Sequence, residues 1–227
     1  MTDAVLLPPY FAHGGGQHNR VISAIYDRLL ATAVKPHRFD FSSVEESAAQ
    51  AETLAQIEAC DGPVLLIGYS FGAAVAATIT HPAVAGWALI APALVVPQFI
   101  SPASPFRPPA QPPLAADPRP KLVVTAERDA WFGADVIDPL AAGWTACEQQ
   151  TVPSADHFFA ATTDDVADRA VAWAVANAAS AASVKSGLSS HRPRWLRQRY
   201  GYDRTGAATM RPGPTASGGW SSTRPAA

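Results

Sequence analysis

The sequence holds only two cysteines, Cys60 and Cys147, in 227 residues, which excludes a disulfide-stapled secreted scaffold. They form no CxxC pair, and no Cys/His spacing suggests structural zinc, so neither metal nor cofactor is expected. Charged residues are also few, at 16%, but the 48% of hydrophobic residues suffices for one substantial core and excludes global disorder. Unbroken apolar runs are short. The longest, around 83–96 and 170–182, are interrupted by Pro92 and Asn177, short of the roughly 20 residues that a membrane helix needs. The opening MTDAVLLPP lacks a basic flank and breaks at two prolines, unlike a signal peptide. A soluble, cytoplasmic protein without membrane contact is the expectation. There is no GK[ST] after the glycine run at 14–16, no GxGxxG and no HExxH, so nucleotide-cradling and zinc-protease motifs are missing.

The net charge of −2 hides an asymmetry. Residues 1–184 carry 9 Lys and Arg against 18 Asp and Glu, whereas residues 185–227 carry 8 against one acid, Asp203. The division predicts a folded domain over 1–184 and a disordered basic tail over 185–227, rich in Gly, Pro, Ser and Arg and without apolar periodicity. In the tail, Arg192, Arg194, Arg197 and Arg199 interleave with Trp195 and Tyr200. That pattern suits nucleic acid or an anionic surface, although a solvated extension without a partner is the expected reading.

Within 1–184, short apolar runs alternate with helix-like stretches. Strands are expected over 4–10, 37–41, 63–69, 86–91, 121–126 and 147–152. Helices are expected over about 19–31, 44–59 (opened by Ser43), 72–80, 136–142 and 164–182. Continuous apolar runs such as PVLLIGY mark strands buried on both faces, and the alternation predicts a mostly parallel six-stranded sheet with helices on both faces. Residues 92–120 break the pattern with ten prolines, which excludes a regular helix or inner strand there. Placed between two strands, this segment is expected to arch over the sheet as a lid-like insertion, with Phe99, Ile100 and Phe106 available to line an apolar pocket.

The chemistry centres on Gly68-Tyr69-Ser70-Phe71-Gly72. The GxSxG pattern is short, and its context carries the weight. It follows an apolar strand and opens an alanine-rich helix, the strand–turn–helix setting of a nucleophile elbow. A serine nucleophile needs a base, and the base needs an orienting acid. Beyond later strand ends lie Asp129, in Glu127-Arg128-Asp129, and His157, in Ser154-Ala155-Asp156-His157. Ser70, Asp129 and His157 thus follow the order Ser, acid, His. Glu127, Asp135 and Asp138 compete with Asp129 near the same strand end, while Asp156, adjacent to His157, reads as a turn former. Of six histidines, only His157 occupies the base position; His13, His18, His37, His81 and His191 do not. Two N–H donors for an oxyanion are expected from Phe71 and from the turn His13-Gly14-Gly15-Gly16, through Gly14 and Gly15. Should the first strand end sooner, that donor moves to Tyr10 or Phe11.

The segments PPYFAHGGGQHNRVI, HRFDF, LLIGYSFGAAVA, VVTAERD and SADHFF, in this order, resemble the small α/β-hydrolase superfamily proteins related to dienelactone hydrolases. The resemblance spans roughly residues 4–182. It implies an α/β-hydrolase fold with a reduced cap, lacking the first two antiparallel strands of that fold, and Ser70, Asp129 and His157 as a triad. Dienelactone hydrolases proper use cysteine where this chain has Ser70, so their named reaction is not implied. The expected activity is that of a serine hydrolase acting on an ester, thioester or amide of a small molecule. The alternative is a non-catalytic binding protein on the same fold.

Overall fold

Side chains along the apolar runs alternate between two layers, and helices cover both. The computed structural model describes residues 1–10, 15–95 and 111–184. Its strands are β1 (Thr2–Leu7), β2 (Val34–Arg38), β3 (Val64–Tyr69), β4 (Val84–Ile90), β5 (Lys121–Ala126) and β6 (Cys147–Val152). The helices are α1 (Arg20–Leu29), α2 (Glu46–Glu58), α3 (Phe71–Thr78), α4 (Ala134–Ala141) and α5 (Thr163–Val184). The strands form one sheet in the order β2-β1-β3-β4-β5-β6, every neighbouring pair parallel. This is the six-stranded α/β architecture expected from the alternation, and no antiparallel strand precedes it among the described residues.

On one face, Ala4, Leu6, Leu65 and Ile67 pack against Val21, Ile22, Ile25 and Leu29 of α1 and Val166, Ala170 and Trp173 of α5. On the other, Val5, Leu7, Leu66, Leu89 and Val123 meet Ala49 and Ile57 of α2, Ala73 and Val75 of α3, and Ile137 and Ala141 of α4. Full burial of each larger aliphatic side chain is worth about 1.5–3 kcal/mol, so these layers fix the sheet. The path then sets where a site can form. From β1 the chain crosses to β2 on one side, and later returns to place β3 on the other. The carboxyl ends of β1 and β3 therefore flank a topological switch point, the crevice where open α/β sheets bind ligands.

Several boundaries differ from the sequence expectation, each for a local reason. β1 stops at Leu7, not Tyr10, because Pro8 and Pro9 bring no N–H to a ladder. The second strand lies at Val34–Arg38 rather than 37–41; Pro36 is tolerated because β2 is an edge strand. Phe41 leaves the strand and buries its ring edge-on against Phe71, at 5.3 Å between centroids. α2 begins at Glu46, since the Ser43 hydroxyl accepts from the Glu45 N–H at 3.0 Å, a local turn bond and not a helix cap. α3 opens one residue early, at Phe71, and α4 two residues early, with Pro139 inside it.

In the proline-rich insertion, residues 96–110 lie outside the described residues, as do Phe99, Ile100 and Phe106. Its flanks belong to the core. Leu94, Leu114 and Ala115 are buried, and Pro113–Ala116 forms a 3-10 turn that starts on a proline, a residue suited to a first helical position and one read in the sequence as a helix breaker. The buried Lys121 ammonium anchors the return by donating to the carbonyls of Asp117, Arg119 and Thr145, which uses all three of its N–H groups. The basic tail, 185–227, also lies outside the described residues.

Candidate active site

Ser70 stands between the end of β3 and the first turn of α3, at φ 53° and ψ −112°. This left-handed setting is costly for a residue with a Cβ, on the order of 1–3 kcal/mol. The turn is held by its surroundings: the Ser70 N–H donates to the Ile90 carbonyl at 2.9 Å, and the Ser70 carbonyl accepts from Ala74 at 3.1 Å. The two glycines of the motif are demanded by contact. A Cβ on Gly72 would lie 2.2 Å from the Leu7 carbonyl oxygen, and one on Gly68 would lie 2.5 Å from the Ala73 Cα. Both approaches are impossible without moving backbone, so only glycine lets α3 start this close to β1 and β3.

His157 arrives from the loop after β6, a segment with two further left-handed residues, Ser154 at φ 58° and Phe159 at φ 51°. Asp156 shapes that loop as expected, its carboxylate accepting from the Phe158 N–H at 3.1 Å. The imidazole Nε2 lies 3.1 Å from the Ser70 Oγ, and Nδ1 lies 2.7 Å from Asp129 Oδ2. All three residues are buried but not sealed, at 8%, 7% and 7% exposure for Ser70, His157 and Asp129. The three side chains singled out in the sequence are thus in one hydrogen-bonded line.

The Asp129 carboxylate has its other oxygen occupied too. Oδ1 accepts from the N–H groups of Trp131 at 2.9 Å and Phe132 at 3.0 Å. Burial is the largest single influence and opposes ionisation. The bond to His157, the imidazole's charge and the two amides together outweigh it and hold the carboxyl below its ordinary value. Its rivals have other work. Glu127 accepts from the Ser154 N–H at 2.6 Å, fastening the His157 loop to the end of β5, and Asp135 and Asp138 lie in α4. Burial pushes the Asp138 carboxyl up.

Two supports were not expected from the sequence. Tyr69, inside the GxSxG motif, turns away from Ser70, and its hydroxyl donates to the His157 carbonyl at 2.7 Å. Burial, followed by the nearby Asp129 and Asp156 carboxylates, drives the phenol's ionisation well upward, so the hydroxyl stays a donor. The aromatic rings of Trp131, Phe132 and Phe158 surround the imidazole, with centroids 4.9, 5.3 and 5.5 Å away. The run Trp131-Phe132 and the doublet Phe158-Phe159 were the available signals. Tyr69→Phe should leave a buried carbonyl without its donor, at a cost of about 1–3 kcal/mol. The expected outcome is a kcat reduced about 5–30-fold with KM nearly unchanged, in steady-state ester kinetics well below the melting temperature.

The oxyanion donors are placed as follows. Phe71 is the first residue of α3, so its N–H belongs to the helix start directly beside Ser70. Gly15 lies against the segment that follows β1, where an added Cβ would fall 2.2 Å from the Tyr10 carbonyl oxygen; Gly14 and Phe11 lie outside the described residues. β1 stops at Leu7, short of the Tyr10 end on which the Gly14–Gly15 register was expected. Of the other described histidines, His37 pairs with Asp3, His81 Nδ1 accepts from the Ala83 N–H, and His18 stands in the turn before α1.

A model of the alpha/beta hydrolase family matches residues 10–223, and the chain belongs to that family. No protein of curated function matches the sequence. Among solved structures, Est1E from Butyrivibrio proteoclasticus with ferulic acid bound aligns with a TM-score of 0.65 at 13% identity, covering 79% of this chain and 90% of that one. An alpha-beta serine hydrolase homologue from Coxiella burnetii gives 0.59 at 21% identity, covering 76% and 84%. A serine hydrolase without a lid from Xanthomonas campestris gives 0.58 at 22%, covering 84% of each chain. At these identities the likeness is one of fold. No helix among the described residues is long and apolar enough to cross a membrane.

Proposed function

We propose that the protein is a serine hydrolase that cleaves a carboxylic ester, or a related thioester or amide, of a small substrate through an acyl-enzyme on Ser70. The observation that carries this reading is the unbroken line from Ser70 Oγ to His157 Nε2 and from Nδ1 to the Asp129 carboxylate. In it, the Ser70 oxygen attacks the acyl carbon as its proton passes to His157 Nε2. The imidazolium is held by Asp129 and returns that proton to the leaving oxygen, sulfur or nitrogen as the bond to the acyl carbon breaks. Water then repeats the sequence: it loses a proton to His157, attacks the acyl carbon, and releases the acid while Ser70 regains its hydrogen. The Phe71 N–H and a donor following β1 receive the charge on the tetrahedral oxygen. Neither metal nor cofactor enters these steps.

The surroundings narrow the substrate. The ring collar of Trp131, Phe132 and Phe158 and the Tyr10–Phe71–Phe41 cluster favour an apolar or aromatic acyl or alcohol portion. The excess of acids over bases in 1–184 disfavours polyanions. Est1E, which shares the fold, holds ferulic acid, and that supports a small carboxylic acid as product. The test is labelling with a fluorophosphonate. One equivalent should react per chain, and Ser70→Ala should abolish the reaction. Wild-type protein that stays unlabelled would favour a non-catalytic binding role.

A further inference from the structure

We propose that Asp3, His37 and Cys60 form a binding site for a zinc-class divalent cation at the foot of the sheet, on the α2 side, with one coordination position left to water. The three residues come from β1, β2 and the turn between α2 and β3, and one ligand atom from each lies within 4.8 Å of the others. Carboxylate, imidazole and thiolate in one cluster is a zinc donor set; magnesium and calcium prefer oxygen alone. Two negative ligands and one neutral one would balance a dication, so the filled site would carry no net charge into a partly buried place.

The carboxylate is already oriented for one-oxygen ligation. Asp3 is buried at 4% exposure. Its Oδ2 accepts from the Gly62 N–H at 3.1 Å, while Oδ1 faces His37 Nε2 at 2.8 Å. A backbone N–H on the outer oxygen is the kind of second contact that fixes a metal ligand. The turn is moulded to that carboxylate: a Cβ on Gly62 would lie 2.8 Å from Asp3 Oδ2 and 2.1 Å from the Met1 carbonyl. His37 and Cys60 are only half-buried, so a cation has a way in. Tetrahedral zinc bonds of about 2.0–2.3 Å put ligand atoms roughly 3.3–3.7 Å apart. The Asp3–His37 contact would therefore open slightly and the thiol move in by about an ångström, within side-chain reach. On binding, the cation takes the place of the hydrogen between Asp3 and His37 Nε2; that hydrogen passes to solvent, His37 stays neutral with its one hydrogen on Nδ1, and the Cys60 thiol gives up its proton to solvent. Sequence spacing hid the cluster because the three residues are far apart along the chain.

The test is titration of the full-length protein, first stripped with a chelator, with Co²⁺. One equivalent should bind and produce a thiolate-to-cobalt absorption band in the near ultraviolet, which Zn²⁺ displaces. Cys60→Ser should abolish the band, His37→Gln should weaken cobalt binding at least about tenfold, and Cys147→Ser should change neither. A titration without the band, or a band that survives Cys60→Ser, overturns the proposal. The site lies at the end of the strands opposite Ser70, so fluorophosphonate labelling should be equal in stripped and cobalt-loaded protein. The outcome at either site is thus independent of the other.

Discussion

Ser70→Ala should lower ester turnover by at least about 10³-fold and leave the far-ultraviolet circular dichroism unchanged. Alanine removes only the oxygen; the left-handed backbone, the glycine contacts and the start of α3 remain. His157→Ala should cost about as much, because a serine hydroxyl whose proton has no acceptor attacks poorly. The double variant should be no worse than either single one, since the two groups act as a unit and the residual rate comes from the oxyanion donors and binding. A panel of p-nitrophenyl esters of rising acyl length, run on wild type and all three variants, measures both the loss and the chain-length preference that the aromatic collar sets. Additive losses would show that Ser70 and His157 do not act as a unit, and turnover retained in Ser70→Ala would remove Ser70 from the reaction.

Asp129→Asn should reduce kcat by about 10⁴-fold while the protein stays folded. The amide can still meet the imidazole, but by offering an N–H it favours the tautomer with its proton on Nε2, which cannot accept from Ser70. The charge that steadies the imidazolium is lost as well. The same carboxylate should be visible in stability. Its folded value lies below the unfolded one of about 3.9, so its contribution to stability is complete above that value and is lost as pH falls through the lower folded value. Denaturant midpoints of wild type and Asp129→Asn should therefore differ most at neutral pH and converge in acid. A gap that does not narrow on acidification would show that the charge of Asp129 is not what the fold uses.

Much of this was legible in the chain, and physics explains which parts. Strands β3, β4 and β5 are inner strands covered on both faces, and such strands must be written as continuous apolar runs, so they stand out. The edge strand β2 has no such requirement, and with Pro36 inside it and Phe39 and Phe41 beyond it, the apolar signal pointed several residues too far along. The three residues of the line were found because parallel strands deliver every loop that follows a strand at the same end of the sheet, so a serine, an acid and a histidine after different strands share a neighbourhood. What contacts alone decide was not legible: that Tyr69 turns its hydroxyl to the His157 carbonyl, that the Trp131 and Phe132 amides brace Asp129, and that Asp3 meets His37 and Cys60.

The elbow at Ser70 has one more consequence. Its backbone is a compressed spring, and the packing of α3 against β1 and β3 keeps it shut. Glycine would sit at φ 53° without that tension, so drift toward thermal robustness alone would erase the hydroxyl there. A serine standing where relaxation favours its loss is itself a mark of use.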